Sequence, residues 1–223
     1  MARTRTLAQL IAEVRDRADI EGSQHITDAQ IQRYLNQSGA ALHALMVEAG
    51  DDWFTVVTGA PISAPDGGLN DVELQSNFYK LVAISLDIDG VQTPLRKWVW
   101  EEFPALFSAG ASVPAGFIPM YRVVADRIII GPGVAAGPSL VIAYARTFTD
   151  MALTSDTLDG RDGWEEWVVW DATVKCLVKE ESDARQAATE RDQVLARIKK
   201  QLLTRDFAKP HRAVKTRHRA REV

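Results

Sequence analysis

The hydrophobic period of this chain changes twice, and that constrains the fold more than any single motif. Apolar residues recur at helical spacing up to Gly50, alternate through the middle, and return to helical spacing from Trp164 onward. A helix buries a stripe and a strand buries every second side chain. A chain that reads helical, then alternating, then helical is therefore expected to fold as α+β: a helical bundle carrying a small antiparallel β domain.

The opening segment carries explicit helix punctuation. Thr6 and Gln9 form a capping-box pattern, and Leu7, Leu10, Ile11, Val14 and Ala18 follow at helical spacing. Gly22 stands where such a helix would stop. A second box, Thr27 with Gln30, lies between Ile26 and Ile31, which are placed to form a hydrophobic staple. Ile31, Tyr34, Leu35, Leu42, Leu45, Met46 and Ala49 continue as one stripe, and Gly50 can end it. Residues 1–52 thus read as a helical hairpin.

In residues 53–148 the reading is a small antiparallel β domain. Val82, Ile84, Leu86 and Ile88 alternate with smaller or polar residues, and Asp89-Gly90 is a hairpin signal. Residues 121–124 and 127–130 flank a turn at Ala125-Asp126. Residues 140–144 form another strand, and 54–57 can begin the sheet. Residues 98–107 read as a short helix or an irregular flap. Gly131-Pro132-Gly133 lacks a following helix, so it reads as a hairpin connection rather than a phosphate cradle.

Residues 149–204 read as a linker and a long helix completing the bundle. No glycine or proline interrupts residues 164–203. Trp164, Trp167, Val168, Val174, Leu177 and Val178 supply one apolar face, and Val194, Ile198 and Leu202 another. Between them, residues 179–193 are charged, with Ala184, Ala187 and Ala188 as small contacts. One helix of ~40 residues would be ~60 Å long, more than a small domain can cover. Its far half should project or pack on another subunit. Leu10, Val14, Leu35 and Leu42 are expected to share a core with Trp167, Val168, Val174 and Leu177.

Composition excludes several classes. With 46% apolar and 25% charged residues the chain is neither disordered throughout nor collagen-like. The lone Cys176 cannot form an internal bridge. Glu13 and Asp16 interrupt any secretory apolar core at the start, and prolines and glycines break the uncharged stretches 103–121 and 128–145, so no membrane segment is expected. Net charge is −4 but unevenly spread: residues 205–223 sum to +5 and the preceding 204 residues to −9. An acidic body with a basic arm asks for a partner.

Catalytic signals are missing. The sequence has no nucleophile elbow, Walker loop or dinucleotide fingerprint. His25, His43, His211 and His218 have no ligand spacing with Cys176, which reads as a buried, inert thiol. Asp156, Asp159 and Asp162 read as a polar loop before a helix, because the distal glutamate of a calcium loop is missing. Glu180, Glu181 and Asp183 diverge around a helix and cannot flank one bond, so they suit a solvated or intersubunit face. Trp170 points away from Trp164 and Trp167, either as an exposed core-edge ring or as an interface anchor. The basic arm is open to three readings: a disordered end, a nucleic-acid arm, or a docking arm for a protein. It lacks the aromatics that stack on bases.

Taken in order, these segments resemble the head-to-tail adaptor (connector, tail-tubular-A-like) proteins of tailed bacteriophages. TLAQLIAEVRDRADIEGSQHITDAQIQRYLNQS is similar to their N-terminal helical hairpin. FYKLVAISLDIDGVQTPLRK, PMYRVVADRIIIGP and LVIAYAR are similar to their inserted β domain, and WEEWVVWDATVKCLVKEESDA to their long helix. The resemblance implies a virion structural protein at the head–tail junction, made in the host cytoplasm. Such proteins form a ring, usually dodecameric, under the portal; they extend the DNA channel and dock the next tail component (a nozzle, stopper or tube protein). The implied partners are the portal, further copies of the chain, and packaged DNA that passes without specific binding; no membrane, metal, cofactor or catalytic residue is implied. Joined to the charge pattern, the resemblance makes residues 205–223 a portal-docking arm. Phe207 and Val214 would be apolar anchors, and Lys209, Arg212, Lys215, Arg217, Arg219 and Arg221 would meet acidic groups. Trp170, Glu180, Glu181, Asp183 and Arg185 are the expected subunit-interface residues. The competing reading is a nucleic-acid-binding accessory protein that uses the same basic tail.

Overall fold

The computed structural model describes residues 5–20, 22–23, 25–62, 70–88, 90–102, 104, 119–131, 138–161 and 163–204. Among them are four α-helices and eight strands, an α+β protein. The chain divides into two compact units: Met1–Leu42 with Ala152–Leu158 and Asp162–Val223, and His43–Met151 with Asp159–Arg161.

The first unit is helical. Helix α1 (Leu7–Ala18) starts on the foreseen capping box: the Thr6 amide donates to Gln9 Oε1 at 3.0 Å and the Gln9 amide to Thr6 Oγ1 at 3.4 Å. Two more first-turn amides, Leu7 and Ala8, donate to the carbonyls of Asp156 and Thr154 at 2.7 and 3.1 Å, so the returning chain satisfies groups a helix start leaves open. The helix stops at Asp19 (φ 54°), before Gly22. The Ile20 amide closes back on the Arg15 carbonyl and the Ile20 side chain is buried; that burial turns the chain early. Arg15 then clamps the interhelix loop, donating to the carbonyls of Ile20 and Ile26, both at 3.1 Å, and to Asp28 at 2.6 Å.

Helix α2 (Asp28–Glu48) begins with Ile26 and Ile31 both fully buried, the staple expected from the sequence. It ends before Gly50, whose φ of 78° is the left-handed conformation glycine adopts without strain. Ile31, Leu35, Leu42 and Met46 are buried, whereas Ala49 is exposed.

The expected single C-terminal helix is two: α3 (Glu165–Lys179) and α4 (Arg185–Thr204). Glu181 takes up φ 57°, and the Ser182 amide donates to the Leu177 carbonyl at 2.9 Å, closing α3 without a glycine. Helix α4 then folds back and packs on α3, burying Ala187, Val194 and Ile198. The far half therefore has an intramolecular core and does not project. Periodicity cannot reveal a chain reversal made by a non-glycine residue.

Helix α3 also packs on α1. Leu10, Val14, Leu35, Leu42, Trp167 and Val168 are buried in this unit, but Val174 and Leu177 are only half-buried. Glu165, Val168, Val169, Ala172, Thr173 and Cys176 make the inward stripe instead. Partners on two sides broaden and rotate the buried face beyond the stripe read from hydropathy.

The second unit holds two four-stranded sheets. Strands β1 (Thr55–Pro61), β8 (Ser139–Arg146), β3 (Phe78–Ile88) and β4 (Val91–Pro94) lie side by side, all antiparallel. The other sheet runs β2 (Asn70–Glu73), β7 (Arg127–Ile130), β6 (Met120–Val124), β5 (Arg96–Lys97). Here β5 pairs with β6 in parallel, which corrects the purely antiparallel expectation. The long connection between them permits the parallel pair, as a tight turn would not. One apolar core draws on both sheets: Ala60, Ile84, Leu86, Leu140 and Ile142 from the first, Val72, Ile128 and Ile130 from the second.

Only half of the alternation in β3 faces this core. Ile84 and Leu86 are buried, while Val82 and Ile88 are exposed. An irregularity between Leu81 and Ala83 shifts the register against β8 and turns Val82 outward. Ile88 pairs with Val91 at the hairpin end, where Gly90 has φ 84° and its amide donates to Asp87 Oδ1 at 2.9 Å. Ala125 (φ 53°) and Asp126 turn β6 into β7 as expected. The Gly131-Pro132-Gly133 reading needs correction, because the connection it opens joins strands of different sheets. Gly131 is packed closely: its amide donates to the Met120 carbonyl at 2.6 Å, and a Cβ would lie 3.2 Å from that oxygen. From the stretch read as helix or flap, Trp100–Glu102 form a single 3-10 turn; Phe103 and 105–107 lie outside the described residues.

Candidate interaction surfaces

Glu180, Glu181, Asp183 and Arg185 lie not on one helix face but in and beside the turn between α3 and α4. The Asp183 carboxylate accepts the Arg185 backbone amide at 3.0 Å and its Nε at 3.0 Å, capping α4. Those bonds, the backbone one foremost, hold the Asp183 carboxyl below its ordinary range. Glu180 Oε1 accepts Ser23 Oγ at 2.6 Å, which ties the turn to the α1–α2 loop. Lys179 donates to the His25 carbonyl of the same loop at 3.3 Å and to Gln30 in the first turn of α2. Glu181, Asp183 and Arg185 remain exposed, and Val178 beside them is 63% exposed.

Trp170 is half-buried and carries an intrachain partner, the Arg17 guanidinium 4.2 Å from its ring centroid. Arg17 also bonds Glu13 at 2.5 Å and Glu166 at 2.8 Å, and Arg5 bonds Glu13 at 2.5 Å. The ring is thus the edge of an ionic network joining α1 to α3.

Sequence reasoning missed a second polar cluster. Asp171, buried on α3, accepts Ser38 Oγ of α2 at 2.8 Å and pairs with Lys175 at 2.9 Å and Arg191 of α4 at 3.4 Å. One carboxylate thus joins three helices, and its hydrogen bonds offset its desolvation. The only signal in the sequence was a charged residue at an inward helical position, where the hydropathy reading had placed no polar group.

The remaining singled-out groups are structural. Burial pushes the Cys176 thiol up to about 11, with the nearby Glu180 carboxylate adding to the effect. His43 is buried toward the C-terminal end of α2, its Nε2 2.8 Å from the Arg146 carbonyl, its ring edge-on to Phe54 and Tyr79. Asp159 forms a two-point pair with Arg146 at 2.5 and 2.7 Å, and Asp156 caps the amides of Ala152 and Leu153. Asp162 lies outside the described residues, and no group of potential metal ligands occurs among the described ones. Nor, among them, is any helix long and apolar enough to cross a membrane.

The arm residues Phe207, Lys209, Arg212, Val214, Lys215, Arg217, Arg219 and Arg221 also lie outside the described residues. What the described surface offers is apolar side chains left in water: Val57 and Val82 in the second unit, Leu153 and Val178 in the first.

Comparison with curated proteins gives no match. A family model described as SU10 adaptor protein matches residues 5–217, running through the helices, both sheets and most of the basic arm. The chain therefore belongs to the SU10 adaptor protein family and is a phage head-to-tail adaptor.

Proposed function

We propose that this adaptor assembles as a ring, dodecameric as in the proteins it resembles, beneath the portal at the head–tail junction. There it extends the DNA channel and presents a surface to the next tail component. The family match over residues 5–217 carries this reading, because it spans the whole helical–β–helical order and enters the arm. The charge distribution supports it. A body of net −9 repels packaged DNA on balance, which suits passage without sticking.

In this reading residues 205–223 dock on the portal. Phe207 and Val214 supply apolar anchors, while Lys209, Arg212, Lys215, Arg217, Arg219 and Arg221 steer and orient against acidic portal groups. Trp170 and the turn residues Glu180, Glu181, Asp183 and Arg185 lie toward a neighbouring subunit. The test is cosedimentation of the full chain, and of a chain ending at Arg205, with empty portal rings in the absence of DNA. The full chain should pellet with the portal and the shortened one should stay in solution. Equal binding by both would sink the docking arm. Equal portal binding together with loss of DNA binding by the shortened chain would favour the nucleic-acid reading.

A further inference from the structure

The end of α3 lacks the residues that usually stop a helix, although Asp183 caps the start of α4. Nothing from residue 164 to 203 is a helix breaker, yet the helix breaks at residues 180–184. The left-handed position is filled by Glu181 at φ 57°, where glycine is the residue without strain. The following position, which usually adds an apolar contact to this kind of helix end, is the exposed Ser182. Two of the features that normally favour such a stop are therefore missing. The contacts that hold α4 down run along its length and include buried Ala187, Val194 and Ile198, Arg191 3.4 Å from Asp171, and Trp164 Nε1 donating to Gln201 Oε1 at 3.0 Å.

We infer that α3 and α4 can join into one continuous helix, with α4 delivered to the same seat on α3 of a second copy of this chain. The second copy is the fitting occupant because it offers the same Asp171, the same Trp164 and the same apolar seat that α4 leaves at home. Each exchanged pair regains the contacts that α4 makes on α3, gives up the hydrogen bonds of the turn itself for regular helical ones, and sheds the left-handed Glu181 in both chains. Within one chain the tether favours closure by effective concentration. Exchange gains when neighbouring copies are held close, as on an assembling ring. The inference uses the self-assembly of the proposed function only in requiring a second copy.

Distance within a single chain reads the change directly. Spin labels are placed at Glu166→Cys and at the exposed Lys199→Cys, which leaves the Trp164–Gln201 bond in place; the buried Cys176, with its raised thiol pKa, stays unlabelled. In the closed turn the two sites lie on neighbouring helices within roughly 20 Å, given usual helix spacing and the label arms. In a continuous helix they are about 50 Å apart. The labelled full-length chain is diluted into unlabelled chain, so that only intrachain distances register, and oligomers are separated by size. Replacing the turn by Glu181→Ala, Ser182→Ala and Asp183→Ala together should populate oligomers showing the long distance. Glu181→Gly should lower the exchanged fraction roughly fivefold. A short distance in every oligomer, or a triple-alanine chain that stays monomeric, overturns the inference. A ring whose chains keep the short distance refutes exchange but leaves the ring reading standing; exchanged dimers that never close into rings with portal do the reverse.

Discussion

Leu35→Ala tests the helical unit most directly. Leu35 lies on α2 and is fully buried, so truncation cannot be relieved by solvent. Deleting about three carbon groups forfeits roughly 2.4 kcal/mol of transfer free energy at ~0.8 kcal/mol each. A residual cavity of roughly 50 Å³ adds about 1 kcal/mol at ~24 cal/mol per Å³. The expected loss is therefore about 3–4 kcal/mol, a large share of the ~5–15 kcal/mol that holds an ordinary domain folded. Urea unfolding followed by far-UV circular dichroism measures it, with Leu35→Met as the volume-conserving control, expected to cost less than about 1.5 kcal/mol. A loss below ~1 kcal/mol for the alanine variant, at unchanged denaturant slope, would refute a dense core around Leu35.

Other outcomes follow from the polar groups. Asp171→Ala strands Lys175, Arg191 and Ser38 around a partly buried gap and should cost about 3 kcal/mol by the same urea assay; a change within experimental scatter would mean the cluster is solvated. Cys176, buried and with its thiol pushed up to about 11, should resist a thiol reagent near neutral pH until the chain is unfolded in denaturant; rapid labelling of native protein would contradict its burial. Asp183 titrates below its ordinary range, so the stability it contributes is fully present above the unfolded carboxyl pKa and is lost as pH falls through the lowered folded one. Carbon-detected NMR titration should show that depression, and a normal value would mean the α4 cap is not formed. Charge reversal at Glu180, Glu181 and Asp183 together should spare helical content, with a small loss of stability from the lost cap, and impair ring assembly. Particles that complete normally with this variant would count against the turn as an interface.

The residues show why some features were legible and others not. The capping box at Thr6 and Gln9, the Ile26–Ile31 staple, the Gly50 stop, the β6–β7 turn at Ala125-Asp126 and the apolar strands 127–130 and 140–144 rest on local chemistry. Neighbouring residues satisfy amides, set φ or alternate faces whatever the rest of the chain does, so sequence by itself determined them. Short β2 gave no such signal, because four residues with one buried side chain, Val72, carry almost no period. The family likeness was legible too, through the order of segments rather than any one residue, and it needed no knowledge of how they pack. Tertiary structure alone decided where α1 ends, since burial of Ile20 outweighs the glycine beyond it. It decided which way Val82 faces, through a register shift that β8 imposes on β3. It also decided that the C-terminal helix breaks at Glu181, where the contact α4 makes by folding back outweighs the strain of a left-handed glutamate. Asp171 sits inside for the same reason: Ser38 and Arg191, both distant in the sequence, reach it from other helices and join the local partner Lys175. Local rules fix what each segment prefers; long-range burial chooses among those preferences whenever it is worth more than the local cost.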